Sequence, residues 1–290
     1  MDNVIKWLLE DEAPEVKYRA MTELLGLPKD EPKVQTAYKS LLSSDTLSLV
    51  MDKFKLNKKW EDINALLALT EFGLTREDVP VDEYIDRIIK NLNKSMKCAK
   101  TLLLRNLVSL GYYGHPWVQE QIALVFSSVR QDGTLRCLDK TKKTNDSRLP
   151  DFGCYRQTTT CLLLAAELKK TGVILPQFEP LVNFYINHNV LFRSDTPEKV
   201  IIKDMAGTFY PIDHVHMGLQ MVMYGLSLLG GAAHPNCEKA WALLDSYKDR
   251  EGKYILTESF GAPYFNAGRA GQPNKWVTLY VLLSKKYRTG

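Results

Sequence analysis

Apolar residues recur at helical spacing over long windows of the chain, whereas sustained alternation over strand lengths is scarce, and this pattern predicts an all-α protein. A first helix is expected from about Asn3 to Glu10. Pro14 opens a second, which Gly26 and Pro28 close. Val34 to Leu42 makes a third, and Ser43, Ser44 and Asp45 form a turn able to cap the helix that follows.

From about Trp60 onward a longer unit repeats. Cys98 to Gly111 is an apolar helix ending Ser109-Leu110-Gly111, followed by His115-Pro116 and a second helix from Trp117 to Arg130, closed by the turn Gln131-Asp132-Gly133-Thr134. Tyr210 to Gly230 is expected as another apolar helix, ending Ser227-Leu228-Leu229-Gly230 and followed by His234-Pro235, a second helix through Trp241 to Tyr247, and the turn Asp249-Arg250-Glu251-Gly252. Between them Cys154 to Gly172 and Pro180 to Asn189 supply a further pair, Trp60 to Gly73 a partial unit before the series, and Trp276 to Tyr287 a last helix. The helix-ending glycines 111, 172 and 230 lie about 60 residues apart, too far for tetratricopeptide or ankyrin units of ~33 to 34 residues. The first helix of each pair is apolar on most faces, as in Leu162 to Ala166 and Leu219 to Leu229, so it should be enclosed on several sides. A closed ring of inner and outer helices encloses it better than an open solenoid.

Composition adds exclusions. Hydrophobic residues make up 45% and charged residues 25%, which is ordinary for a folded protein, so disorder is not the expectation. The net charge of +4 is spread along the chain with no long basic run, which argues against a nucleic-acid or membrane-surface role. Its densest basic patches, Lys53, Lys55, Lys58 and Lys59 and then Lys140, Lys142 and Lys143, are short and read as solvated faces or loops. The N-terminal stretch lacks the basic flank and apolar run of a signal peptide, and no window approaches ~18 uninterrupted apolar residues, so no transmembrane segment is expected. Five cysteines, an odd number set mostly in or near apolar helical stretches, fit reduced thiols in a cytoplasm better than a disulfide framework.

The Gln131-Asp132-Gly133 turn after an amphipathic helix, the repeat length, and the terminal Gln272-Pro273-Asn274-Lys275-Trp276-Val277-Thr278-Leu279 together resemble the prenyltransferase and squalene-oxidase repeat superfamily, which includes squalene cyclases and protein prenyltransferase β subunits. Trp7-Leu8-Leu9-Glu10 and Pro14-Glu15-Val16-Lys17-Tyr18-Arg19 are similar to a short squalene-cyclase-like group of bacterial and archaeal proteins. The resemblance implies an α/α-toroid of helical hairpins over residues 51–290, with HEAT-like N-terminal helices over 1–50 packed upon it. It also implies an apolar central cavity that binds, and in a cyclase or prenyltransferase transforms, an isoprenoid-like molecule. It does not fix one chemistry.

In such a ring the starts of the inner helices converge on one rim. Cyclases of the superfamily use an Asp-x-Asp-Asp acid, which this chain lacks; Asp213, beside His214, is the nearest substitute for a proton donor. The prenyltransferases hold zinc through an Asp, a Cys followed by Tyr, and a distant His. Asp151-Phe152-Gly153-Cys154-Tyr155 resembles the first part with one extra residue between Asp and Cys, and His216 resembles the last, with His214 as its alternative. The extra residue turns the carboxylate by ~100° on a helix. Set against this, Cys154 also reads as a small core residue, and Asp151 and Asp213 as helix caps. Trp60, Tyr155, Tyr210 and Trp276 are candidates to line an apolar cavity, and Arg156, Arg269 and Lys275 to meet an anionic head group at its edge. The rival expectation is a non-catalytic helical-repeat scaffold whose partner is a protein.

Overall fold

The computed structural model describes residues 2–92, 97–136, 153–193, 195–213, 215–259, 265 and 267–288. Among these the chain is all-helical, and extended segments meet only in isolated bridges such as Phe209 with Glu258. The helices are α1 (Asp2–Leu8), α2 (Pro14–Arg19, prolonged by a wider π-type turn, Ala20–Leu24), α3 (Pro32–Leu42), α4 (Asp45–Lys55), α5 (Lys59–Glu71), α6 (Asp82–Leu92), α7 (Lys97–Ser109), α8 (Pro116–Ser127), α9 (Tyr155–Lys170), α10 (Phe178–Asn187), α11 (Leu219–Leu229), α12 (Glu238–Ser246) and α13 (Lys275–Arg288).

Two layers follow from the apolar pattern. Helices α5, α7, α9, α11 and α13 are buried over most of their circumference, as Thr158 to Leu168 of α9 illustrates. They form a row in which α7 lies along α5 and α9, and α11 along α9 and α13. Helices α6, α8, α10 and α12 each pack on the buried helix before them. They bury a single stripe, such as Val118, Ile122 and Phe126 of α8, as their amphipathic pattern requires. Helix α6 completes the unit that the repeat pattern left partial.

The repeat signals become specific local structures. Gly111, Gly172 and Gly230 end α7, α9 and α11 with φ of +94°, +84° and +87°, the left-handed geometry of a helix stop. His115 and His234 each precede a helical segment and accept, through Nδ1, the backbone N–H two residues on, at 3.2 Å in both cases. In the closing turns Asp132 Oδ1 accepts the N–H of Thr134 at 3.0 Å, and Asp249 Oδ1 accepts those of Glu251 and Lys253 at 2.9 Å. The first turn rests on the next outer helix, with Gly133 so close to α10 that a Cβ would lie 1.9 Å from the Pro180 carbonyl oxygen. The second rests on α1, where a Cβ on Gly252 would come within 3.2 Å of Val4.

Helix α1 therefore occupies, against the last closing turn, the place that an outer helix takes against the first. Both α1 and α2 pack on α13. Lys275 Nζ reaches Glu10 at 3.0 Å and Glu12 at 3.1 Å, and Lys286 Nζ donates to the Glu23 and Leu24 carbonyls at 2.7 and 3.0 Å. Helix α4 runs across the expected boundary at 50/51 and packs along α5, capped as anticipated by Ser44, whose hydroxyl accepts the Leu47 N–H at 3.1 Å.

One helix starts later than its apolar run suggests. The segment expected as helical from Tyr210 begins only at Leu219. Pro211 has no N–H to give, and Asp213 Oδ1 takes the N–H groups of Val215 and His216, both at 2.6 Å, in a local turn that competes with a helix. No helix among the described residues is long and apolar enough to cross a membrane. Cys98, Cys154, Cys161 and Cys237 form no disulfide among the described residues; Cys137 lies outside them.

Candidate functional site

Four aromatic rings from separate stretches of chain meet in the interior. Trp276, in the first turn of α13, stacks on Tyr210 (centroids 5.0 Å, planes 15° apart) and on Phe72 at the end of α5 (6.3 Å, 19°). Phe265 meets Phe72 and Trp276 edge-on at 5.4 and 5.8 Å. Each ring is buried. Local hydrogen bonds place them. Asn274 caps α13 through the Val277 N–H at 2.9 Å, which sets Trp276 inward, while its amide donates to the Ala267 carbonyl at 2.5 Å. Tyr210 follows a strap, residues 207–209, tied to the start of α11 by the Gln220 amide on the Phe209 carbonyl (2.7 Å) and to residues 255–257 through Thr208 and Thr257. Gly218 permits that approach, since a Cβ there would sit 2.6 Å from the Phe209 nitrogen.

Next to the rings lies a buried charge network that sequence reasoning missed. Glu71, fully buried at the end of α5, accepts from Arg105 Nη1 at 2.9 Å, from the Tyr210 hydroxyl at 3.2 Å and from the Tyr280 hydroxyl. Its backbone carbonyl accepts from Arg19 Nη1 at 3.0 Å. Arg19 pairs in turn with Glu23 at 2.6 Å; Arg105 lies 4.0 Å from Glu167, which pairs with Lys170 at 3.1 Å. Three cations and three carboxylates balance: Arg19, Arg105, Glu71 and Glu167 are buried, where an unpaired charge would be costly, while Glu23 is half-buried and Lys170 lies at the exposed end. Burial and the Glu71 carboxylate hold the Tyr280 phenol up at about 12, against the pull of Arg19 and Arg105, so it stays a donor.

Burial opposes ionisation of Glu23, but the attraction of Arg19 and Lys170 and the Arg19 hydrogen bond outweigh it and bring the carboxyl from 4.5 down to about 2. A depressed acid stabilises the fold above its unfolded value, and that contribution is lost as pH falls from 4.5 through about 2. Urea midpoints followed over this window should fall with pH, and more steeply in the native chain than in Glu23→Gln. Equal slopes would remove the pair from the account.

The other candidates sit as follows. Asp213 Oδ1 accepts its two turn N–H groups, and Oδ2 lies 2.8 Å from His216 Nδ1. Both of its oxygens are thus engaged, one by the turn and one by His216. Arg156 reaches this turn through the Val215 carbonyl (3.2 Å) and pairs with Asp204 at 3.2 Å, so Arg156, Asp213 and His216 do come together. Cys154 is the N-cap residue of α9, its N–H on the Leu135 carbonyl at 2.6 Å. The buried Tyr155 donates to the carbonyl of Val190. Trp60 is 54% exposed, with Lys59 Nζ 5.2 Å from its ring centroid. Arg269 is exposed, and Lys275 is held by Glu10 and Glu12.

Asp151 and His214 lie outside the described residues, as do Lys140, Lys142 and Lys143. Among the described residues no three His, Cys, Asp or Glu side chains gather in a way that would hold a metal ion. A concavity of about 660 Å³ lies between the end of α9, α10 and the end of α11, lined by apolar side chains including Ile174, Phe178, Val182 and Leu229. Compared with known proteins, the chain matches no family model, no curated sequence and no solved structure.

Proposed function

We propose that this chain is a closed α/α-toroid, as its sequence resemblance implies, and that it binds an apolar, isoprenoid-like small molecule against the aromatic wall of Phe72, Tyr210, Phe265 and Trp276. The convergence of these four rings carries the reading: aromatic faces pack hydrocarbon chains well and stabilise positive charge that develops along them. Ring closure is supported by two contacts between the first and last parts of the chain, α1 in the place of an outer helix and Arg19 between Tyr280 and Glu71. Binding is favoured over protonation chemistry because Asp213 is committed to its turn.

The test is organic extraction of the purified protein with mass-spectrometric identification of any lipid, followed by tryptophan fluorescence and thermal melts with farnesol, geranylgeraniol and squalene. A co-purifying isoprenoid, or a melting shift reduced in Trp276→Phe, is the expected result. No lipid in the extract and no shift with any of the three would sink the proposal. Metal analysis of the same sample decides the remaining chemistry: one zinc per chain would bring back Asp151, Cys154 and His216 as its ligands, and a metal-free protein that still binds would leave the rings as the whole site.

A protein-binding scaffold is the second reading. It draws on the groove beside α10, where Ile174 stands 73% exposed.

A further inference from the structure

We propose that the turn between α4 and α5 is a docking tip for an anionic bilayer surface. Helix α4 buries Leu47, Val50 and Phe54 against α5, which leaves its opposite face to solvent. On that face Leu49 and Leu56, seven residues and so two turns apart, are 56% and 48% exposed. Trp60 follows in the first turn of α5. Six large apolar side chains stand exposed among the described residues, and three of them fall in this one hairpin. Their clustering is what departs from the scattered exposure usual on protein surfaces.

The same hairpin carries Lys53 and Lys55 at the end of α4, Lys58 in the turn and Lys59 at the start of α5. From the sequence these lysines read as a solvated face; the structure adds the exposed Leu56 and Trp60 beside them. Lys55 pairs with Asp52 at 2.6 Å and Lys53 lies 4.0 Å from Glu61, so two of the four charges are partly compensated. Lys58 has no ion-pair partner among the described residues, and Lys59 lies over the Trp60 ring. The balance at the tip is positive.

Shape selects the occupant. Lys55, Leu56, Asn57 and Lys58 are all exposed in succession, with Asn57 at φ +52° turning the chain, so the feature projects and offers no groove for a peptide. Its base is fixed: Arg87 Nη2 donates to the Phe54 carbonyl at 2.8 Å and to Asp62 at 2.7 Å, which fastens the end of α4 and the start of α5 to α6. A rigid projection bearing an indole, two leucines and lysines suits the headgroup layer. There the indole sits at the boundary, the leucines enter the acyl edge and the ammonium groups meet lipid phosphates. The inference is independent of what the interior binds.

Sedimentation of the full chain with vesicles of phosphatidylcholine alone, and of phosphatidylcholine mixed equally with phosphatidylglycerol, tests it. Binding is expected to the mixed vesicles only, to weaken as salt rises, and to fall roughly ten-fold or more in Trp60→Ala and in the double variant Lys58→Glu, Lys59→Glu. These positions are at the surface, and unchanged melting temperatures would confirm that both variants fold. Equal sedimentation with both vesicle types, no sedimentation with either, or undiminished binding by the variants would overturn the proposal. So would a concentration-dependent dimer abolished by Trp60→Ala, which would assign the tip to a second copy of the chain.

Discussion

Replacing Glu71 by glutamine is expected to destabilise the protein by about 3–5 kcal/mol, the usual cost of removing one partner from a buried ion pair. For a chain of 290 residues this lowers the melting temperature by roughly 5–8 °C. The reason is local. Glu71 accepts from Arg105, Tyr210 and Tyr280 through its side chain and from Arg19 through its backbone, and it is fully buried. The neutral amide leaves Arg105 with Glu167, at 4.0 Å, as its one ion-pair carboxylate among the described residues. The double variant Glu71→Gln, Arg105→Met should recover part of the loss, since an apolar replacement takes the stranded cation away with its partner. Thermal melts of the two single variants and the double measure this. A double variant that loses the sum of the singles would show that the two residues are not coupled.

Gly133→Ala should be comparably damaging, at about 2–5 kcal/mol. Its φ of +80° costs an L-residue ~1–2 kcal/mol. The new methyl would also meet the backbone oxygen of Pro180 at 1.9 Å, so the turn must lift off α10, an overpacking cost of ~1–3 kcal/mol more. Gly172 provides the control. Its φ is +84°, and nothing lies within 4 Å of its Cβ position. Gly172→Ala should therefore show the backbone cost alone, and denaturant midpoints for the two variants separate strain from docking. Equal losses would mean that contact between the closing turn and the next outer helix contributes nothing.

Features carried by neighbours in sequence were legible. Helices ended at Gly111, Gly172 and Gly230, the His-Pro steps became caps, and the Asp132 and Asp249 turns closed on their own N–H groups, because each depends on residues within one turn. The apolar run from Tyr210 overstates α11 because such a run records burial, and Tyr210, Ile212 and Met217, buried before Leu219, carry the same signal as the helix after them.

Less of the candidate site could be read. The charge network joins residues as far apart as Arg19 and Tyr280, and no spacing rule relates them. A signal was nonetheless present. Glu71 and Arg105 each stand as the one charge in the apolar second half of a helix, and Glu167, followed by Lys169 and Lys170, stands near the end of a third, each a few residues before a glycine stop. A charge at a recurring place in helices bound for burial implies partners on the neighbouring helices. Lys275 misled for the opposite reason: its place before Trp276 suggested a free cation, whereas its partners, Glu10 and Glu12, lie at the other end of the chain.

The seam between α1, α2 and α13 also sets an order of events. The N-terminal helices are synthesised first, yet Arg19, Glu23 and Glu10 find Tyr280, Lys286 and Lys275 only when the last helix has left the ribosome. Until then the surfaces that α1 and the Ala20–Leu24 turn lay on α13 have no final partner, although α2 already has α3. Folding should therefore finish in a late step that joins segments some 260 residues apart, slow by the logic of loop closure and sensitive to chaperones.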